Sequence, residues 1–459
     1  MPESKLAAPE LNTRSTEQKE AETAVISPPS FSEALRFWFI LGWISFGGTT
    51  GHITIMHDFL VTKKRWISNS KFYHALNACM ILPGPEAHQL SIYIGWKLHG
   101  IKGGVASGVL FVLPSVCILL GLSCIYSIYG NTPLLLSVFD GLKPAVLAII
   151  VFATWKVGQK ALITPVHYGV AIAAFVLSYF VRIPMPWIVF SVILFGILIH
   201  LFFPKYTRLK KKKTGKEERE QDYYIHSEQL PQKIPASRLV KQSIVFLLLW
   251  LLPFIGILYF LDDAAFWQKS SLLFTQAAFL TIGGSYTVIP YVAQMVTNKL
   301  MWLSKTQMVD GFALAETTPG PLVIVLAYVG FMAGFNHFNG SILMGTVGLL
   351  VAAYFTFLPN FILIFMGAPL IEKAQDYPMI QYVLSLITAT VVGVIVNLAF
   401  YLGGEILFKS STLSFAAMDW VALGWVFFSL FLLIKYNINM LYLVLISLGF
   451  GLLRYFFHF

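Results

Sequence analysis

The chain has 459 residues, 57% hydrophobic and 12% charged, with mean hydropathy +0.72 and a formal net charge of +10. Soluble domains carry roughly 25% charged residues, so too few polar side chains are present to coat a water-facing surface of this size, and a bilayer is the solvent that removes the demand. The positive charge is concentrated, with eleven Lys or Arg against five Asp or Glu between Lys205 and Lys241, which argues against a nucleic-acid-binding face and for a cytoplasmic loop between membrane-spanning blocks.

Residues 1–30 are polar and charged without an apolar run, and are expected to form a disordered cytoplasmic tail, not a signal peptide. A bilayer core needs about 20 mostly apolar residues per helix. By that measure six segments precede the basic loop, at 33–58, 72–96, 104–128, 139–158, 165–181 and 186–203. Seven follow it, at 243–261, 271–296, 308–334, 341–370, 380–408, 417–435 and 438–457. The expected fold is an all-α polytopic membrane protein with about 12–13 transmembrane segments, some of them broken helices.

The two sides of the loop are related. Shifting the sequence by 236 lays Ser45-Phe46-Gly47-Gly48 over Thr281-Ile282-Gly283-Gly284, Trp66-Ile67-Ser68 over Trp302-Leu303-Ser304, and Pro83-Gly84-Pro85 over Pro319-Gly320-Pro321. Further on, Leu113-Pro114 corresponds to Leu358-Pro359 after a nine-residue insertion. The matches are mostly Gly, Pro and Trp, types that seldom coincide by chance in apolar sequence. An even number of spans before the loop and one extra span after it predict two halves in inverted topology, a common transporter architecture. Lys63, Lys64, Arg65 and Lys71 stand against a simple count, which places them outside. Either the first apolar segment is a hairpin that returns to the cytoplasm, or this cluster breaks the positive-inside rule. The expected divisions are a tail at 1–30, a first repeat at 31–203, the basic loop at 204–241, a linking helix at 242–262 and a second repeat at 270–459.

Pro-Gly-Pro inside a span ends one helix and starts another, because Pro lacks the N–H an interior turn needs and suits a first turn. The next amides, those of Glu86, Ala87 and His88 or of Leu322 and Val323, then point outward unpaired. With the partial positive charge of a helix N-terminus they make an anion site without a cationic side chain. A re-entrant turn that binds nothing is the alternative. Gly47, Gly48, Gly283 and Gly284 supply facing breaks at which backbone can approach a substrate, or serve close helix packing. Buried ionisable residues are functional hypotheses by default. Glu86 and Glu316 are therefore candidates for proton coupling, set against helix capping for the first and a satisfied carboxylate for the second. His52, His88 and Gln89 are polar neighbours of the same breaks, and Lys143, followed directly by Pro144, is the cation singled out to meet a dianion. Gly104 and Gly108 read as helix packing. Cys79, Cys117 and Cys124 read as apolar packers without metal-ligand spacing. No phosphate loop, HExxH or paired-Cys set occurs, so neither a catalytic residue, a metal nor a cofactor is expected, and an ion gradient is the remaining energy source.

These motifs, with Gly51-His52-Ile53, Tyr93-Ile94-Gly95, Leu113-Pro114-Ser115 and Ala315-Glu316-Thr317-Thr318-Pro319, resemble those of a two-domain member of the chromate ion transporter (CHR) family, from about residue 33 to 408. The resemblance implies efflux of chromate, or of a sulfate-like oxyanion, across the bacterial cytoplasmic membrane, driven by protons, by two related halves of opposite orientation. Thr49 stands where the family usually has Pro, and Ile282 where it usually has Phe.

Overall fold

The computed structural model describes residues 29–46, 48–204, 223–225, 236–368, 377–408 and 418–457. Residues 1–28 of the tail expected at 1–30, Gly47 and most of the basic loop lie outside the described residues. The chain is an all-α polytopic membrane protein. Seven helices are long and apolar enough to cross a membrane: Glu86–Tyr129, Pro133–Ala161, Met185–Phe202, Leu239–Phe260, Ile342–Gly367, Pro378–Leu407 and Met440–Phe457. The shorter Pro165–Tyr179 and Trp420–Lys435 pack among them.

That number is below the 12–13 segments expected, because four of those segments are hairpins with a break at the tip and two are the shorter helices Pro165–Tyr179 and Trp420–Lys435. The first pairs α1 (Phe31–Ile44), capped by Ser30 accepting from the Glu33 N–H, with α2 (Gly48–His57) and a π-turn Asp58–Lys63. Fourteen residues at about 1.5 Å each span only about 21 Å, short of a core of about 30 Å. The ends of the hairpin meet: Lys64 Nζ lies 2.7 Å from Glu33 Oε1, and Phe37 stacks on Phe59 at 4.0 Å. The second pairs α3 (Asn69–Ile81) with the first arm of α4 (Glu86–Tyr129). That helix folds sharply at His99 and Gly100, bringing His99 within 5.4 Å of Phe31 at the end from which the chain entered.

The second half repeats the pattern. Ala264–Leu280 and the arm 285–299 close through Phe266 and Trp302, whose rings lie 5.0 Å apart. Lys305–Thr317 and Leu322–His337 return to the same end, where His337 Nε2 lies 2.7 Å from Asp263.

Lys63, Lys64 and Arg65 thus lie at the end where α1 begins, the arrangement of the hairpin alternative. Loop residue Ile225 docks there as well. It accepts from the Ser68 N–H at 2.9 Å and donates to the Trp66 carbonyl at 3.0 Å. A hydropathy window cannot separate two short apolar arms from one span, which explains the difference in count.

Close packing between arms uses small residues, as it does in membranes generally. Ser107 Oγ donates to the Ser91 carbonyl at 2.8 Å, and a Cβ on Gly108 would meet Ile92 and Phe361 at 2.7 Å. In the second half Gly330 packs on Gly348 in the same manner. Pro378–Leu407 anchors the remaining helices. Phe400 packs on Phe175 and Tyr179, and Val394 packs on Met185 and Val189.

Candidate functional site

Each Pro-Gly-Pro does what its chemistry dictates. α3 stops at Ile81, and Pro85 caps the helix that starts at Glu86; Pro321 caps the 3-10 turn that leads into Val325–His337. The central glycines adopt φ of 128° at Gly84 and 97° at Gly320. The Gly84 N–H donates to the Thr281 carbonyl at 2.6 Å, and the Gly320 N–H donates to the Ser45 carbonyl at 2.7 Å. Positions 45 and 281, and 84 and 320, are the pairs superposed by the 236-residue shift. The tripeptide of each half is therefore pinned to the chain break of the other, and the N–H groups of Gly84 and Gly320 and the carbonyls of Thr281 and Ser45 are satisfied inside the protein.

Side chains reinforce the two junctions. Ser115 Oγ donates to the Pro319 carbonyl at 2.6 Å, and Gln89 Nε2 donates to the Pro83 carbonyl at 2.5 Å and to Asn360 Oδ1 at 3.2 Å. Ser115 and Asn360 are the residues after Leu113-Pro114 and Leu358-Pro359. His52 Nε2 lies 2.8 Å from the Ser45 carbonyl, the same oxygen that receives Gly320.

Among the described residues the amides of Glu86, Ala87, His88, Leu322 and Val323 find no acceptor, while Ala87, His88, Leu322 and Val323 are buried. Both helix starts thus present unpaired N–H groups together with the positive end of a helix dipole. The two carboxylates approach the second glycine break. Gly284 faces Glu86, such that a Cβ there would lie 3.9 Å from Glu86 Oε1. Tyr286, two residues on, donates to Glu316 Oε1 at 3.3 Å. Gly283, Gly284, Tyr286 and Glu316 are half-buried, and Glu86 is buried.

Two sequence-predicted residues face elsewhere. The His88 ring packs among Phe111, Phe357 and Phe361, with Nε2 3.2 Å from the Gly108 carbonyl. Lys143 Nζ lies 2.9 Å from Asp310 Oδ1, an ion pair without hydrogen-bond alignment, while Tyr126 donates to Asp310 Oδ2 at 2.8 Å. This pair joins the two halves and is buried, with 14% and 5% side-chain exposure. Removing one member of a buried pair costs about 3–5 kcal/mol, whereas replacing both with apolar residues is far milder. Lys143→Ala or Asp310→Ala is accordingly expected to lower the unfolding temperature of the purified protein sharply, and Lys143→Met/Asp310→Leu to recover most of the loss.

Asp310, Tyr286, Thr281 and Asn360 escaped the sequence reading. Asp310 carried a usable signal, being an acid in an apolar segment, and Asn360 carried another, following the repeated Leu-Pro.

An all-helical bundle whose discontinuous helices meet in pairs defines an integral membrane transporter. The chain belongs to the chromate transporter family, whose model matches residues 32–198 and 268–452. It is 26% identical over 391 residues to a probable chromate transport protein of Synechococcus elongatus, covering 84% of this chain and 88% of that one. It is 26% identical over 393 residues to a chromate transport protein of Cupriavidus metallidurans, covering 84% and 86%. An uncharacterized transporter of Bacillus subtilis, YwrB, matches over 121 residues at 26% identity, which is 26% of this chain and 61% of that shorter one. No solved structure matches the chain.

Proposed function

We propose that the chain exports chromate across the bacterial cytoplasmic membrane in exchange for protons, and so confers chromate resistance as an antiporter. The reading rests above all on the reciprocal bonds Gly84–Thr281 and Gly320–Ser45, which tie each amide-rich helix start to the chain break of the opposite half. A tetrahedral dianion between them accepts hydrogen bonds from the amides that follow Pro85 and Pro321. Glu316, Glu86 or His52 carries the proton that biases the inward- and outward-open states.

Two halves of inverted topology, at 31–203 and 270–459, suit this exchange. Each begins with two hairpins, and the linking helix runs antiparallel to Ile342–Gly367, with Ser243 near Met366 and Trp250 near Phe355. That course supports a second half that starts at the opposite end of the molecule from the first. Moving a two-state balance from 1:99 to 99:1 takes about 5.5 kcal/mol of differential binding, and charge-assisted hydrogen bonds at about 1.5–3 kcal/mol each supply it.

Everted membrane vesicles test the proposal. An inside-acid pH gradient is expected to drive chromate accumulation several-fold above vesicles lacking the protein, and a protonophore to abolish it. Amide donors read charge and tetrahedral shape, not the central atom. Unchanged chromate movement together with protein-dependent sulfate flux would therefore transfer the assignment to sulfate.

A further inference from the structure

We propose a second oxyanion-binding site at the end of the molecule opposite the basic loop, formed by Arg182, Gln294, Lys299 and Asn397. These four side chains line a small cavity of about 70 Å³, of the order of two water volumes at ~30 Å³ each and so scaled to one small ion. They come from separate elements. Arg182 lies in the turn before Met185–Phe202, Gln294 and Lys299 in the return arm of the third hairpin, and Asn397 in Pro378–Leu407. The helix Met185–Phe202 starts at the cavity and ends beside the basic loop about 27 Å away, which sets the cavity on the far side.

Three observations point to an anion. The lining holds two cationic side chains and no acidic one. Among the described residues, none of the four side chains has a hydrogen bond or ion pair. Asn397 is only 4% exposed, yet it lines this cavity and has no hydrogen-bond partner among the described residues, which leaves its amide available to a ligand. The N-terminus of Met185–Phe202 adds its partial positive charge.

The internal repeat sharpens the case. Lys299 and Gln294 superpose on Lys63 and Asp58 under the 236-residue shift. At the basic-loop end Lys63 Nζ lies 2.8 Å from Asp58 Oδ2 and is paired with that carboxylate. At the far end an amide stands in the acid's place and Lys299 keeps its charge. The cavity also lies one apolar layer from the second glycine break. Ile282 packs on Met185, Val189 and Val394, and Met185 and Val394 line the cavity themselves. An oxyanion passing that layer from the break would meet Arg182 and Lys299 next, and only this direction of passage rests on the export reading. The phosphate of a lipid headgroup shares the same chemistry.

Radiolabelled sulfate binding to the purified full chain in nanodiscs tests the site. Arg182 has φ of 59°, a conformation glycine adopts freely, so Arg182→Gly/Lys299→Gln removes both charges at positions suited to the change. In phosphatidylcholine discs the wild type is expected to bind one more sulfate per chain than the double variant, and Lys299→Gln alone to weaken that sulfate about tenfold. Retention of the extra sulfate in discs containing phosphatidylglycerol identifies a free oxyanion as occupant, and its loss there identifies a headgroup phosphate. Equal stoichiometry and affinity for wild type and both variants in phosphatidylcholine overturns the proposal. The readout is binding, so failure of chromate export leaves the test intact.

Discussion

Alanine at Gly84 or Gly320 is expected to abolish chromate transport and lower the unfolding temperature, while alanine at Gly121 or Gly169 leaves both near wild type. The positive φ values of Gly84 and Gly320 belong to backbone regions that cost other residues about 1–3 kcal/mol. Space is also lacking. A Cβ on Gly84 would collide with Asn360 Oδ1 and Gln89 Nε2, and one on Gly320 with Ser115 Oγ. Relief would require moving the tripeptide off its partner break and losing the Gly84–Thr281 or Gly320–Ser45 bond. Nothing lies within 4 Å of a Cβ on Gly121 or Gly169, and helical Gly→Ala at an open position is neutral or favourable. Vesicle transport and thermal unfolding of the four variants check this. Wild-type transport by both Gly84→Ala and Gly320→Ala would show that the junctions are dispensable.

Glu316→Gln is expected to reduce proton-driven efflux at least tenfold, and Glu86→Gln by a smaller factor. Glutamine preserves the size of Glu316 and can still accept from Tyr286, whose hydroxyl donates to it at 3.3 Å, so the change removes the capacity to carry a proton while keeping the contact. Glu86 is the first residue of its helix. There a carboxylate also complements the dipole, at about 0.3–1 kcal/mol, and its loss affects stability as much as coupling. Initial rates over a range of imposed pH gradients distinguish the two variants. Near-wild-type efflux from both would mean that neither carboxylate carries the coupled proton.

What the sequence revealed follows from which residues break helices. Pro83-Gly84-Pro85 and Pro319-Gly320-Pro321 were legible because Pro and Gly act locally, and the structure starts helices where expected, at Glu86 and Leu322. The repeat was legible for the same reason. The hairpins were ambiguous because apolar arms 14 and 10 residues long, Phe31–Ile44 and Gly48–His57, sum to one span in any hydropathy window. Contacts between its ends, Lys64 with Glu33 and Phe37 with Phe59, show that the chain turns back. The pairing of Gly84 with Thr281 joins positions almost two hundred residues apart, and no local pattern encodes it. Lys143 was legible as a buried cation, but its partner Asp310 lies in the other half. Its charge is therefore already answered by the protein.

The claim that the paired helix starts hold the substrate is tested most directly by locating chromium. Anomalous diffraction at the chromium edge from crystals of the protein grown with chromate is expected to show a peak between residues 83–88 and 319–323. A chromium peak elsewhere in the bundle, with those amides facing only packed side chains, would contradict the account.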